Sequence, residues 1–170
     1  MGNAARAIIV ADFFGVELSQ AQEEVAKVSS VEGRFSTLEI GETKFRLMLS
    51  KNPASWRETL RTSANGPAAV TLVLNANAQD GRDTSWLWDV DFSPLQGRVV
   101  LVTGERALDL AARLTVSEIE HRVVSDERAA AKILGAVDAD LIASYTAFHR
   151  LAHSVAHSVA DSVSKSVVAK

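Results

Sequence analysis

Polar and apolar residues alternate over 34–49 on either side of Gly41-Glu42, with Phe35, Leu38 and Ile40 before that pair and Phe45, Leu47 and Leu49 after it. A period of two around a glycine-bearing turn predicts a β-hairpin. Downstream the rhythm changes. Short apolar runs at 70–74, 99–102, 122–124 and 141–143 alternate with stretches of helical spacing at 105–114 and 126–134. Pro53 suits the first turn of a helix that runs through Trp56 and Leu60 to about Ser63, and Asn65-Gly66-Pro67 ends it. Upstream, residues 4–14 are mostly apolar with good helix formers and read as a buried helix capped by Gly15. Ser19 is placed to cap a second helix over 20–28, with Glu23 and Glu24 in its first turn.

Short strands alternating with helices call for a parallel sheet with right-handed crossovers. The expected fold class is therefore α/β: a Rossmann-like three-layer domain with a mostly parallel sheet, preceded by a helical segment and a β-hairpin. The expected organisation is a helical piece over 1–33, the α/β domain over 34–150 and a Ser/Val/Ala-rich tail over 151–170. In that tail Ser-Val recurs at 154, 158, 162 and 166. Such a four-residue repeat drifts by about 40° per step on a helix of 3.6 residues per turn, and Ser and Val are mediocre helix formers. We expect a last helix from Tyr145 to about Val159 and a dispensable end beyond it.

Composition removes several classes of function. The chain has 170 residues, a net charge of −3 and no cysteine. That argues against a general binder of nucleic acid or membrane surfaces, and it excludes disulfides, thiolate metal sites and a cysteine nucleophile in this chain. No apolar run is long enough to span a bilayer, and no signal peptide is evident at the N-terminus.

Chemistry concentrates in one place. Residues 80–92 hold four aspartates (Asp80, Asp83, Asp89, Asp91), Arg82, Trp86 and Trp88, directly after the apolar run at 70–74. A loop that follows a strand lies at the carboxyl edge of the sheet, where α/β proteins usually place ligands. One reading is structural: Asp80-Gly81 turns the chain and Asp83 caps a short helix. The other makes one Asp the acid of a catalytic triad, where it would fix a histidine's tautomer and stabilise the imidazolium. The nucleophile would then come from another chain. Lys51 and Asn52 either reach a substrate or, for Asn52, cap the helix that Pro53 opens. Gly104-Glu105-Arg106 is either a tight βα turn or an anion cradle at a helix N-terminus. His149, His153 and His157 share a helical face but lack a carboxylate partner other than Asp161, and we assign no metal site to them.

KNPAS at 51–55, LNANAQDGRDTSWLWDVDF at 74–92, TGERALDLAARL at 103–114 and SYTAF at 144–148 resemble the C-terminal domain of MurT, the Mur-ligase-like subunit of lipid II isoglutaminyl synthase. The opening GNAARAIIVADFFGV and the pair Gly33-Arg34 are similar to the end of the Mur ligase central domain and its linker. The resemblance implies a Mur ligase C-terminal-type domain that docks a GatD-type glutaminase subunit. It implies that the partner supplies Cys and His, and that Asp83 completes their triad. It further implies that Lys51, Asn52, Asp80, Arg82, Trp86, Trp88, Asp89, Arg106 and Tyr145 serve the lipid II stem peptide or the partner. The full-length subunit uses ATP and Mg²⁺ to amidate the α-carboxyl of D-glutamate. This domain is expected to hold no cofactor and no metal, and to be inactive alone. The expected location is cytoplasmic, at the inner face of the membrane, with no direct membrane insertion and no nucleic acid. The P-loop, Mg²⁺ ligands and zinc-ribbon cysteines of the central domain have no counterpart here. The alternative is a non-catalytic interaction module, in which the acidic loop only docks a partner.

Overall fold

The computed structural model describes residues 3–27 and 35–154. The chain divides into two compact units, Met1–Glu32 and Gly33–Lys170. The first holds helices α1 (Asn3–Phe13) and α2 (Leu18–Ala26). Two expectations need correction here. The apolar residues of α1 are not buried: Ile9, Val10 and Phe13 are exposed, as is Phe14 just after it, and Ala21 is the only residue of the two helices that is buried among those described. Two short helices offer each other too little surface. The second helix opens at Leu18 behind Glu17, without a side-chain cap, so Ser19 lies inside it and its first turn carries no acid. Glu24 pairs instead with Lys27 at 2.7 Å.

The second unit is a six-stranded sheet in the order β1-β2-β6-β3-β4-β5. β1 (Phe35–Ile40) and β2 (Thr43–Leu49) form the expected hairpin, with Gly41 in the left-handed region at φ +60°. β2, β6 (Asp138–Ala143), β3 (Ala69–Val73), β4 (Val99–Thr103) and the two-residue β5 (Arg122–Val123) are all parallel. Helices α3 (Pro53–Ala64), α4 (Ala107–Val116) and α5 (Glu127–Leu134) connect them, and a last helix, α6, occupies residues 145–154.

Side-chain alternation on the strands produces two cores. Val70, Leu72, Val100, Val102 and Ile142 pack under Trp56 and Leu60 of α3 and Leu110 and Leu114 of α4. Phe45, Leu47, Val73 and Leu141 pack on the opposite face against Ala131 of α5 and Phe148 and Leu151 of α6. The domain therefore has helices on both faces of a mostly parallel sheet, as the sequence pattern predicts. The expectations for the Ser-Val tail and His157 fall on residues 155–170, outside the described residues.

β6 is longer at its start than its apolar run suggests, because it includes Asp138 and Asp140. Asp140 is fully buried. Its carboxylate accepts two hydrogen bonds from Arg46 of β2, at 2.8 and 3.1 Å, a third from Ser63 of α3 and a fourth from Arg98 at 3.4 Å. Arg98 also donates to the Pro67 carbonyl. A Cβ at Gly66 would sit 2.5 Å from the Arg46 guanidinium, so a larger residue here would push Arg46 away from Asp140. One buried charge thus joins two strands, the end of α3 and the approach to β4.

Removing one partner of a buried ion pair leaves the others desolvated and unpaired. Asp140→Ala should lower unfolding free energy by about 3–5 kcal/mol in urea denaturation. A change below about 1 kcal/mol, the range of an exposed pair, would show that the knot does not stabilise the fold.

Candidate functional site

The carboxyl edge of the sheet collects the exits of β2, β6, β3, β4 and β5. Leu74 and Asn75 follow β3 and are fixed from two sides. Gly104, at φ +105°, runs against the Leu74 backbone so closely that any Cβ would overlap the Leu74 carbonyl. Asn75 accepts from the Glu105 amide at 3.1 Å and donates to Thr146 Oγ1 at 3.1 Å, and its own amide donates to Ser144 Oγ at 3.0 Å. The Arg106 amide donates to the Leu74 carbonyl at 2.9 Å. Both amides at the start of α4 are therefore engaged internally. This favours the tight-turn reading of Gly104-Glu105-Arg106.

The acidic loop starts from that anchor. Asp80 is half-buried. It accepts from the Thr146 amide at 2.8 Å and the Thr146 hydroxyl at 2.6 Å, so a residue 66 positions away in sequence caps the N-terminus of α6. Gly81 turns the chain at φ +88°. Arg82 and Asp83 are exposed. Asp83 accepts from the Ser85 amide at 2.8 Å and the Ser85 hydroxyl at 3.0 Å. These two bonds hold its carboxyl below the ordinary aspartate range, and no charged neighbour contributes. Thr84 meets Arg106 and Asp109 of α4, each at 3.3 Å, and Arg106 pairs with Asp109.

A 3-10 turn over Ser85–Asp89 then splits the two tryptophans. Trp86 packs on the core 6.3 Å from Trp56, whereas Trp88 is 59% exposed under the Arg113 guanidinium. Arg113 also donates to the Leu87 and Val90 carbonyls, at 3.2 and 2.9 Å, and so staples the loop to α4. Asp89 is exposed at the end of the turn. Asp91 and Ser93 repeat the Asp83–Ser85 arrangement at 2.9 and 3.0 Å, ahead of a second 3-10 turn, and Asp91 is likewise lowered by its bonds to Ser93.

The family described as MurT ligase C-terminal matches residues 49–148. The chain belongs to this family. All the candidate residues, from Lys51 to Tyr145, fall within the matched span. Among curated relatives, the MurT subunit of lipid II isoglutaminyl synthase (glutamine-hydrolyzing) from Streptococcus pneumoniae is 30% identical over 85% of this chain and 35% of its own length. The MurT subunit from Staphylococcus aureus is 32% identical over 72% of this chain and 29% of its own. The chain thus spans about a third of the length of the curated relatives it matches. The UDP-N-acetylmuramate-alanine ligase MurC from Thermotoga maritima has the same fold, with a TM-score of 0.58 and 18% identity over 92% of this chain and 37% of that one.

In this MurT C-terminal domain the remaining candidate residues separate. Asn52 caps α3 in a reciprocal box with Ser55, so its side chain is structurally engaged. Lys51 is exposed where β2 ends. Tyr145 packs against His149 with ring centroids 4.3 Å apart and planes tilted by 58°. His149 and His153 lie 6.4 Å apart, and among the described residues no group of three or more His, Asp or Glu is arranged to hold a metal ion. The sequence reading missed Asn75, Ser85, Arg113 and Thr146. Only Ser85 carried a local signal, as the third residue of Asp-x-Ser before a turn.

The depressed carboxyls have a consequence for acid titration. A group whose pKa falls on folding contributes stability above its unfolded pKa and loses it as pH falls through the folded value. Carboxyl ¹³C titration should therefore show Asp83 and Asp91 titrating below the ordinary aspartate range. Ordinary titration of both would contradict the Ser85 and Ser93 bonds. Separately, Asp80→Ala should cost about 1–2 kcal/mol through the lost cap and speed amide exchange across residues 75–92. Unchanged exchange there would mean that Asp80 does not anchor the loop.

Proposed function

We propose that this chain is the partner-docking part of a MurT subunit of lipid II isoglutaminyl synthase, and that Asp83 completes the Cys-His-Asp triad of a GatD-type glutaminase. The observation that carries the reading is Asp83 itself: ionised, fully open, oriented by two hydrogen bonds, and without a counter-ion among the described residues. Asp80 and Asp140 commit their carboxylates to distant partners within the fold. Asp83 instead offers free lone pairs to whatever docks on the loop.

In the proposed complex the Asp83 carboxylate accepts the N–H of the partner's histidine. That bond selects the tautomer whose other nitrogen takes the proton of the partner's cysteine, and it stabilises the imidazolium as the thiolate attacks the glutamine side-chain amide. Ammonia leaves, and water hydrolyses the acyl-enzyme to glutamate. Trp88, Arg82 and Asp89 lie exposed on the same loop and flank Asp83 for docking; exposed aromatics are frequent interface anchors. Lys51 is left free to meet a carboxylate of the lipid II stem peptide. The Glu105 and Arg106 amides are engaged within the chain and the sequence carries no P-loop, so we assign ATP and Mg²⁺ to the rest of a full-length subunit, with the product D-isoglutamine formed there. The proposed location is the cytoplasmic face of the membrane. Among the described residues no helix is long and apolar enough to cross a membrane.

Asp91 and Ser93 favour a second reading, because the same bonds there need no chemical role. In that case the loop docks a partner without assisting it. Mixing the chain with a purified GatD-type subunit separates the two. Glutamine hydrolysis should rise on mixing, and Asp83→Asn should remove about 10³–10⁴-fold of kcat, as triad acids do, with binding intact. Full stimulation by Asp83→Asn would leave only the docking role.

A further inference from the structure

We infer that Ser85 is a positioning residue for Asp83, holding both carboxylate oxygens from one side so that their remaining lone pairs face the docked histidine. This rests on the reading of Asp83 as the acid of a partner's triad. A free aspartate on a surface loop samples several rotamers, and a docking histidine would have to select one of them. Here the Ser85 amide reaches Oδ1 at 2.8 Å and its hydroxyl reaches Oδ2 at 3.0 Å, so both torsions of the side chain are set. An ionised carboxylate offers about four acceptor positions, and Ser85 occupies two. The other two stay open to solvent.

The backbone beneath the pair is held on both sides. Asp80 is fixed to Thr146, and Thr84 to Arg106 and Asp109. Orientation of Asp83 thus rests on a rigid frame plus one hydroxyl. Catalytic groups need this kind of support, since small errors in position reduce rate by up to about 10²-fold. Ser93 makes the same two bonds to Asp91 further along the loop and provides a matched control.

The test uses the full chain with a purified GatD-type glutaminase subunit, following glutamine hydrolysis and the affinity of the two subunits. Ser85→Ala keeps the amide bond and loses the hydroxyl bond. It should lower stimulated kcat about tenfold, while KM for glutamine and subunit affinity stay within about twofold. Ser85→Thr, which retains the hydroxyl, should restore kcat, and Ser93→Ala should leave it unchanged. Carboxyl ¹³C titration should show Asp83 moving up toward the ordinary aspartate range in Ser85→Ala but not in Ser93→Ala. Should Ser85→Ala fail to fold by circular dichroism, Ser85→Cys, a weaker donor of similar shape, takes its place. Wild-type kcat in Ser85→Ala beside an inactive Asp83→Asn would overturn the role of Ser85 alone. Wild-type kcat in Asp83→Asn would overturn the triad reading and this inference with it.

Discussion

The Asp80 carboxylate on the N-terminus of α6 is the contact on which the carboxyl edge of this domain depends. The connection from β3 to β4 is long and contains only two 3-10 turns. A connection of that kind is costly to order and is seldom rigid unless its own side chains fasten it. Asp80 fastens it near its start, where the last helix begins. The bond satisfies an otherwise unpaired helix amide and places a negative charge at the positive end of the helix. Asn75 and the glycine contact at Gly104 fix the chain just before Asp80, and Thr84, Trp86 and Arg113 fix it just after. Asp83 lies between these two sets of anchors, and its exposure is therefore that of a held group.

Three aspartates show how environment divides one side chain among different tasks. Asp140 is sealed beneath two arginines and a serine and joins the strands to α3. Asp80 is half-buried and joins the loop to the start of α6. Among the described residues Asp83 has neither a cation nor cover, only a serine that sets its direction. Burial of the first makes it a stabilising group only while its partners are present. The openness of the third adds little to the fold and is intelligible as readiness for another molecule.

Much of this was legible in the sequence where the signal is local. The alternation around Gly41-Glu42 read as the hairpin it forms, and Asn52-Pro53 announced the start of α3. The strand–helix rhythm led to the three-layer fold, and the sequence blocks around 51–55, 74–92, 103–114 and 144–148 carried the resemblance to the MurT C-terminal family. Illegible features involve distant partners or solvent. Asp138 and Asp140 hid the first half of β6: Asp138 is exposed, and the buried Asp140 is tolerable only with Arg46 and Arg98 beside it. The apolar run of α1 looked like core, yet an apolar composition does not reveal what surface is available to cover it. Ser19 lost the cap to a turn that begins one residue earlier. Thr146 could not be paired with Asp80 from spacing at all. The acidic loop itself was visible as a candidate site, whereas its fastenings were not.

The central claim is that the loop presents Asp83, already oriented, to a histidine of another chain. A crystal structure of this chain mixed with a GatD-type glutaminase subunit tests it most directly. The account predicts an Asp83 carboxylate oxygen within about 3.2 Å of an imidazole nitrogen of the partner, with the Ser85 bonds intact and the second imidazole nitrogen facing the partner's cysteine. A partner seated elsewhere on the domain, or seated on the loop with Asp83 still facing solvent, would contradict it.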